Sequence, residues 1–399
     1  MNEIIDRKYY LEKVKPFMNM DLIKVFTGQR RVGKSFLLLQ IARKLKNQPK
    51  ANIIFIDKEK HEFDEIKNYK DLIAFTKPKI KKNKKNYLFV DEVQEIEEFE
   101  RALRHFNSQK NIDVYCSGSN SNIFSGELAT FLSGRYIEIK VFSLSYPEFL
   151  SFNNLSNNGE SLNKYLTFGG MPFLRNLRQE ESIIFEYLSN IFSTIIYKDI
   201  IARYNIRNVH FLENLLKFTA DNVGSVLSSK RISDYLKSQK LNMPTQTVLN
   251  YLEFLQSAYL IYKVKRADIE GKKIFEIGEK YYFEDWGIRN AIIGYKQKDI
   301  NKILENVVFI HLKTLGYKVH IGKLGKKEID FICERNGEKT YIQVAYLIPD
   351  EKVKEREFGN LLTVKDNWRK LVVSLDPFTM GNYKGIEHIN LSEFLTEFE

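Results

Sequence analysis

The chain has 399 residues, 43% hydrophobic and 28% charged, with 62 Lys plus Arg against 51 Asp plus Glu for a formal net charge of +11. At about 100–200 residues per domain this length supports several cores, and no apolar run approaches the roughly 20 residues that cross a bilayer, so no membrane partner is expected. Two distant cysteines, Cys116 and Cys333, exclude a cysteine zinc site and argue against a disulfide scaffold, and without a signal-like opening the expected compartment is the cytoplasm.

The first part alternates buried strands with helical periodicity. LIKVFT (Leu22–Thr27), ANIIFID (Ala51–Asp57), NYLFVDE (Asn86–Glu92), DVYCSGS (Asp113–Ser119) and YIEIKVF (Tyr136–Phe142) read as strands, with helices such as SFLLLQIARKLK and EFERALRHFN between some of them. Strands alternating with helices imply crossover connections and a mostly parallel sheet, hence an α/β domain, placed at 1–155. Within it, KPKIKKNKKN (Lys77–Asn86) is the densest basic block and reads as a solvated loop before a strand.

A polar break at Asn153–Asn163 ends that domain, and a helical pattern interrupted by FGGMP (Phe168–Pro172) gives a helical lid over 156–217. From Lys230 to Arg266 the order is helix, a turn with Pro244, a second helix with Val248, Leu252, Leu255 and Tyr259 at helical spacing, then a strand. With ADIEGKKIFEI as a hairpin around Gly271, this is the order of a winged helix, placed at 218–285. The last part, 286–399, reads as a second α/β unit containing a hairpin on the Asn-Gly turn of ERNGEK.

Between the first strand and its helix stands GQRRVGKS (Gly28–Ser35), which fits GxxxxGK[ST]. Gly28 and Gly33 let backbone amides converge on phosphate oxygens, Lys34 supplies a point charge, and Ser35 offers a hydroxyl to Mg²⁺. The expected nucleotide contacts are Gly28, Gln29, Arg30, Arg31, Val32, Gly33, Lys34, Ser35 and Phe36. Arg30 and Arg31 either line the pocket or face solvent; neither receives a catalytic role. In YLFVDE, on a strand expected beside the loop, Asp91 is placed to hold Mg²⁺ and Glu92 to polarise the attacking water. ATP and Mg²⁺ are therefore the expected cofactors.

FTGQRRVGKS, FVDEVQ, CSGSNSNIFSGELATFLSGRY, FGGMP, YYFEDWGIRNA and EIDFI...YIQVAY together resemble the prokaryotic AAA-type ATPases whose C-terminal part is the domain of unknown function 4143. The resemblance implies that Ser119 or Asn120 senses the γ-phosphate or the attacking water, and that Arg135 contacts γ-phosphate, in trans where AAA-type chains form rings; whether it reaches its own nucleotide or a neighbour's stays open, with a homo-oligomer as a candidate assembly. It implies further that Gly170 and Pro172 set the lid against adenine. An arginine finger is worth about 10³ to 10⁵ in turnover, so Arg135 decides whether a lone chain is a switch or an efficient hydrolase.

Gln246 and Asn250 fall off the apolar stripe of the second helix and could read adenine, which makes double-stranded DNA a candidate partner. Phosphate anchoring would come from flanking Lys230, Arg231, Lys237, Lys240, Lys263 and Lys265. The C-terminal unit resembles restriction-endonuclease-like PD-(D/E)XK domains, with Glu305 and Asp330 as acids. It departs at Gln343, where an acid is usual, and at Ala345, where the lysine belongs; the candidate substitutes are Lys313 and Lys327. The principal expectation is an Mg²⁺-dependent ATPase whose nucleotide state moves a winged helix and an inactive nuclease-like domain. The alternatives are a DNA-associated nucleotide switch with little turnover and an ATP-gated nuclease.

Overall fold

The computed structural model describes residues 5–121, 134–238, 243–269 and 278–398. They fall into two compact units: Met1–Val141 with Ser257–Tyr259, and Phe142–Gln256 with Leu260–Glu399.

The first unit is built on five parallel strands, β1 (Ile23–Thr27), β2 (Ala51–Asp57), β3 (Lys85–Asp91), β4 (Ile112–Gly118) and β5 (Tyr136–Lys140), in the order β2-β3-β4-β1-β5. Period-two alternation sends Ile23 and Val25, Ile54 and Ile56, Leu88 and Val90, and Val114 and Cys116 to one face. There they pack against Leu72 and against Phe99, Leu103 and Phe106 of the helix Phe99–Asn107. Across β2, β3 and β4, Phe55, Phe89 and Tyr115 stack as an aromatic row. Lys24, in the middle of β1, is fully buried and donates to Asp113 of β4.

The second unit begins with helices Tyr146–Asn153, Gly159–Phe168, Glu181–Thr194 and Val209–Asp221. Two sequence motifs lock it together. Asp285 accepts from Gly170 N at 2.8 Å and Ile288 N at 3.0 Å; Trp286 Nε1 donates to Tyr165 O at 2.7 Å; Asn290 Nδ2 donates to Thr167 O at 2.9 Å. FGGMP and FEDWGIRN are thus two halves of one joint. Burial pushes Asp285 up to about 6 against these donated hydrogen bonds.

Helices Ser229–Ser238 and Thr245–Ser257 are followed by β6 (Ile261–Val264), which pairs antiparallel with β8 (Lys280–Phe283). The expected hairpin tip around Gly271 lies outside the described residues. Its first arm includes β7 (Arg266–Asp268), which runs parallel to β9 (Lys318–Leu324). Ala267 stands opposite Gly322, where an added Cβ would come within 3.2 Å of Ile269 Cδ1, so the bare glycine admits Ile269.

β9, β10 (Lys327–Arg335), β11 (Glu338–Val344), β12 (Arg369–Ser374), β13 (Gly381–Tyr383) and β14 (Ile386–Asn390) complete a seven-stranded sheet ordered β13-β14-β12-β11-β10-β9-β7. The β10–β11 hairpin closes through Asn336 and Gly337, both at positive φ (52° and 85°), as an Asn-Gly turn requires.

A Cβ at Gly287 would stand 2.0 Å from Phe168 O, so the joint admits no side chain there. Gly287→Ala is expected to destabilise the second unit by about 1–3 kcal/mol or more, as overpacking does. Urea unfolding followed by tryptophan fluorescence tests this, because both tryptophans, Trp286 and Trp368, lie in that unit. An unchanged midpoint would refute the joint.

Candidate functional site

β1 ends at Thr27, and Gly28 follows with φ 149°; a Cβ there would fall 2.1 Å from Val141 O, so only glycine lets the loop close. Gly33, with φ 99°, then turns the chain into the helix Lys34–Lys46. The intervening turn is braced from outside by Arg7, which donates to Val32 O at 2.9 Å. Lys34 is buried, its Nζ within 3.0 Å of Gly28 O and Gln29 O and 3.8 Å from Glu92 Oε1.

The carboxylates come from β3, whose end lies beside the loop, with β4 between β3 and β1 in the sheet. That inserted strand supplies Ser117, a residue the sequence reading did not single out. Its hydroxyl donates to Asp91 Oδ1 and accepts from Glu92 N at 3.0 Å, so one side chain fixes both acids. Asp91 also takes a hydrogen bond from Ser35, which brings the two expected metal ligands together. Burial raises Asp91 to about 6, opposed by Ser117, Ser35 and Lys34.

Glu92 sits in left-handed backbone, φ 51° and ψ 54°, with its side chain held by Gln94 and, at 3.1 Å, by Ser119 Oγ. Burial favours its neutral form, but the charge of Lys34, the hydrogen bonds from Gln94 and Ser119, and the charge of Arg30 together hold it below its usual range. Asn120 is buried at the end of β4. FVDEVQ thus carries a second signal besides its acids: Gln94 is part of the site.

The two loop arginines separate. Arg30 is 6% exposed and pairs with Glu59 at 3.0 Å; Arg31 is exposed, with φ 71°. Phe36 is 58% exposed, whereas Val32 is fully buried. Gln29 is fully buried, and among the described residues neither of its side-chain polar atoms finds a hydrogen-bond partner. An unsatisfied buried amide is costly, and beside a buried lysine bonded to loop carbonyls it fits a loop that takes an anionic ligand. Ser35 and Asp91 supply the hard oxygen donors that Mg²⁺ prefers.

Arg135 lies elsewhere in the unit. It is exposed, and its carbonyl accepts from Ile23 N at 2.8 Å, at the beginning of β1 and not at the end that carries the loop. Gly170 and Pro172 belong to the second unit. A Cβ on Gly170 would stand 2.5 Å from Leu144 O, so packing alone requires glycine there; Pro172 opens the short helix Pro172–Asn176.

In the C-terminal sheet Glu305 and Asp330 come together, with an unanticipated residue between them. Lys280 Nζ lies 2.8 Å from Glu305, 2.9 Å from Glu328 and 3.8 Å from Asp330, and Tyr282 also donates to Glu305. Lys313 and Lys327, the expected substitutes, donate to Tyr317 O and Gly359 O. Gln343 is committed to Asp330 N and Glu357, and Ala345 is buried. A nuclease metal does not fit this arrangement: an ammonium holds its acids, and among the described residues no group of three or more His, Cys, Asp or Glu is disposed for a metal ion. In the second long helix, Gln246 donates to Asn250 at 2.9 Å, so the two candidate adenine readers bond each other.

A parallel sheet with a phosphate loop on β1 and an acid pair two strands away defines a P-loop ATPase domain of the AAA type. Residues 21–150 match the family described as AAA domain, and residues 159–299 match a domain of unknown function, DUF8612, where the resemblance pointed to a different one. The chain is 36% identical over 99% of its length to an uncharacterized protein of Haemophilus influenzae, 99% of which is covered. It is 31% identical over 84% of its length to one of Methanocaldococcus jannaschii, covered to 77%. It belongs to the family that these two proteins represent. Among solved structures, a Walker-type ATPase of Pyrococcus abyssi is similar over 73% of this chain and 96% of its own, at 17% identity and a TM-score of 0.48.

The raised Asp91 sets a pH test. Above about pH 6 its carboxylate is ionised and available to Mg²⁺; below it, the proton competes. Mg²⁺-dependent nucleotide affinity should be flat above pH 7 and fall about tenfold per unit below 6. Titrations with and without Mg²⁺ should converge at low pH, and Asp91→Asn should remove the pH-dependent part. A flat profile to pH 5 would overturn the assignment.

Proposed function

We propose that this protein binds ATP with Mg²⁺ and hydrolyses it. The observation that carries the reading is the convergence of Lys34, Ser35, Asp91, Ser117, Glu92 and Ser119 at one end of the parallel sheet. ATP supplies the phosphates and Mg²⁺ neutralises charge as the terminal one departs. Lys34 binds phosphate with the loop amides, Ser35 and Asp91 hold the metal, and Ser117 keeps Asp91 oriented. Glu92 is the base, kept ionised by the lysine beside it; Ser119 restrains it, and Asn120 stands ready as the sensor.

Arg135 is assigned to a neighbouring subunit's nucleotide. β1 separates it from its own loop by four residue steps of roughly 3.3 Å, about 13 Å in all. A homo-oligomer is therefore part of the proposal.

Four parts are proposed along the chain: a P-loop domain at 1–155, a helical lid at 156–217, a winged helix at 218–285 and a restriction-endonuclease-like domain at 286–399. The sequence of helix, helix and antiparallel β6–β8 supports the third, and the mixed seven-stranded sheet with Glu305 and Asp330 the fourth. Nucleotide state is relayed to them through Val141, which touches Gly28 and precedes the first residue of the second unit. The nuclease alternative is disfavoured by Lys280, whose charge does the work a divalent ion would do. Burial opposes that charge, but Glu305, Asp330 and Glu328 outweigh it and raise the lysine's pKa.

Glu92→Gln should lower ATP turnover by about 10² or more while leaving ATP affinity intact; unchanged turnover would refute the base. Specific activity should rise with protein concentration, and Arg135→Ala should lower it by about 10³ without loss of binding. Activity independent of concentration and of Arg135 would refute action between subunits. Supercoiled plasmid incubated with the protein, Mg²⁺ and ATP should remain intact, whereas cleavage abolished by Asp330→Asn would restore the nuclease reading.

A further inference from the structure

The parallel sheet has two ends, and the phosphate loop uses only one. At the other, backbone bonds join the entry of β3 to those of β2 and β4, and the entry of β1 to that of β5. Lys85 N donates to Lys50 O at 3.1 Å, Asn86 N to Asn111 O at 2.8 Å, and Ile23 N to Arg135 O at 2.8 Å. Side chains tie the same edge: Lys85 Nζ reaches Lys110 O at 3.1 Å, and Asn86 Oδ1 accepts from Lys81 N at 2.9 Å.

Topology therefore gathers the basic block onto one face with residues distant in sequence. The six lysines between Lys77 and Lys85 lie over the start of β3. Lys46 and Lys50 flank them before β2, and Lys110 before β4, on neighbouring strands about 4.8 Å apart. All are exposed apart from the half-buried Lys85, and none forms an ion pair among the described residues. Carboxylates are scarce there. Asp113 is buried and spent on Lys24, and among the described residues of the segments leading into the five strands Asp21 is the one other acid. The charge is felt inside the domain: Lys85 acts on buried Lys24.

We propose that this edge, remote from the phosphate loop, is a docking surface for the phosphate backbone of duplex DNA. So many uncompensated ammonium groups on one face match a dense line of phosphates, one charge per roughly 1.7 Å of duplex axis. Among its described residues the edge carries no exposed aromatic side chain on which unstacked bases could lie, which favours a paired duplex over a single strand. Among its described residues Met20 is the one exposed large hydrophobic side chain, too little to anchor a membrane or a protein hot spot. Contact through point charges carries no base recognition, so binding is indifferent to sequence. None of its lysines is part of the nucleotide site, and Arg135, which lies at the same end of the sheet and is assigned to a neighbour's nucleotide, is not counted in the surface.

The test uses the full chain, a labelled 30-base-pair duplex and fluorescence anisotropy across salt concentration, without nucleotide. Each lost phosphate contact flattens the slope of log K against log salt by about 0.9. The triple variant Lys81→Gln, Lys82→Gln, Lys84→Gln should flatten it by about 2–3 and weaken binding at least tenfold, at two unrelated sequences alike. Its ATP affinity should match that of the parent. Gln246→Ala with Asn250→Ala should leave binding in place. Wild-type affinity and slope in the lysine variant, loss of binding only in the helix variant, or capture by phosphatidylserine vesicles with no duplex binding would each overturn the proposal.

Discussion

All five strands of the first sheet point the same way, and the arrangement of functional groups follows from that polarity. Their carboxyl ends collect Gly28, Asp91, Ser117 and Ser119, while their amino ends collect Lys50, Lys85, Lys110 and Arg135. A mixed sheet would have scattered both sets. The strand order matters as much, because β4 between β1 and β3 delivers a serine to the space between lysine and acids.

That serine shows how the site manages opposing charges in a dry setting. Two buried acids in succession, Asp91 and Glu92, would repel each other. The structure separates their behaviour: Asp91, mainly desolvated, holds its proton more readily, while Glu92, closer to the cations, gives its proton up. Left-handed backbone at Glu92 turns its side chain toward Ser119 and Gln94 instead of continuing the strand alternation. Lys280 in the second unit shows the converse solution, one ammonium against Glu305, Glu328 and Asp330.

Much of this was legible in the sequence, but unevenly. GQRRVGKS, the acids closing YLFVDE, the parallel strands and the Asn-Gly hairpin are local patterns, and local patterns survive translation into structure. Strand order is not local, so Ser117 looked like an ordinary strand residue. Lys280 lies 25 residues from Glu305 and reads as the first residue of an aromatic strand; nothing in its neighbourhood announces three acids. β7 escaped because its partner's vacancy, Gly322, is visible only once β9 is built. The joint of Gly170, Asp285 and Gly287 was present as two motifs, but their reciprocal fit was not.

Gly28 has a mechanical side as well. Its Cα presses on the carbonyl of Val141 so closely that no methyl group fits, and Val141 N is bonded to Thr27 O at 2.7 Å. The next peptide bond leads into the second unit. The first glycine of the loop thus packs against the residue that closes the first unit's main segment, one peptide bond before the second unit begins.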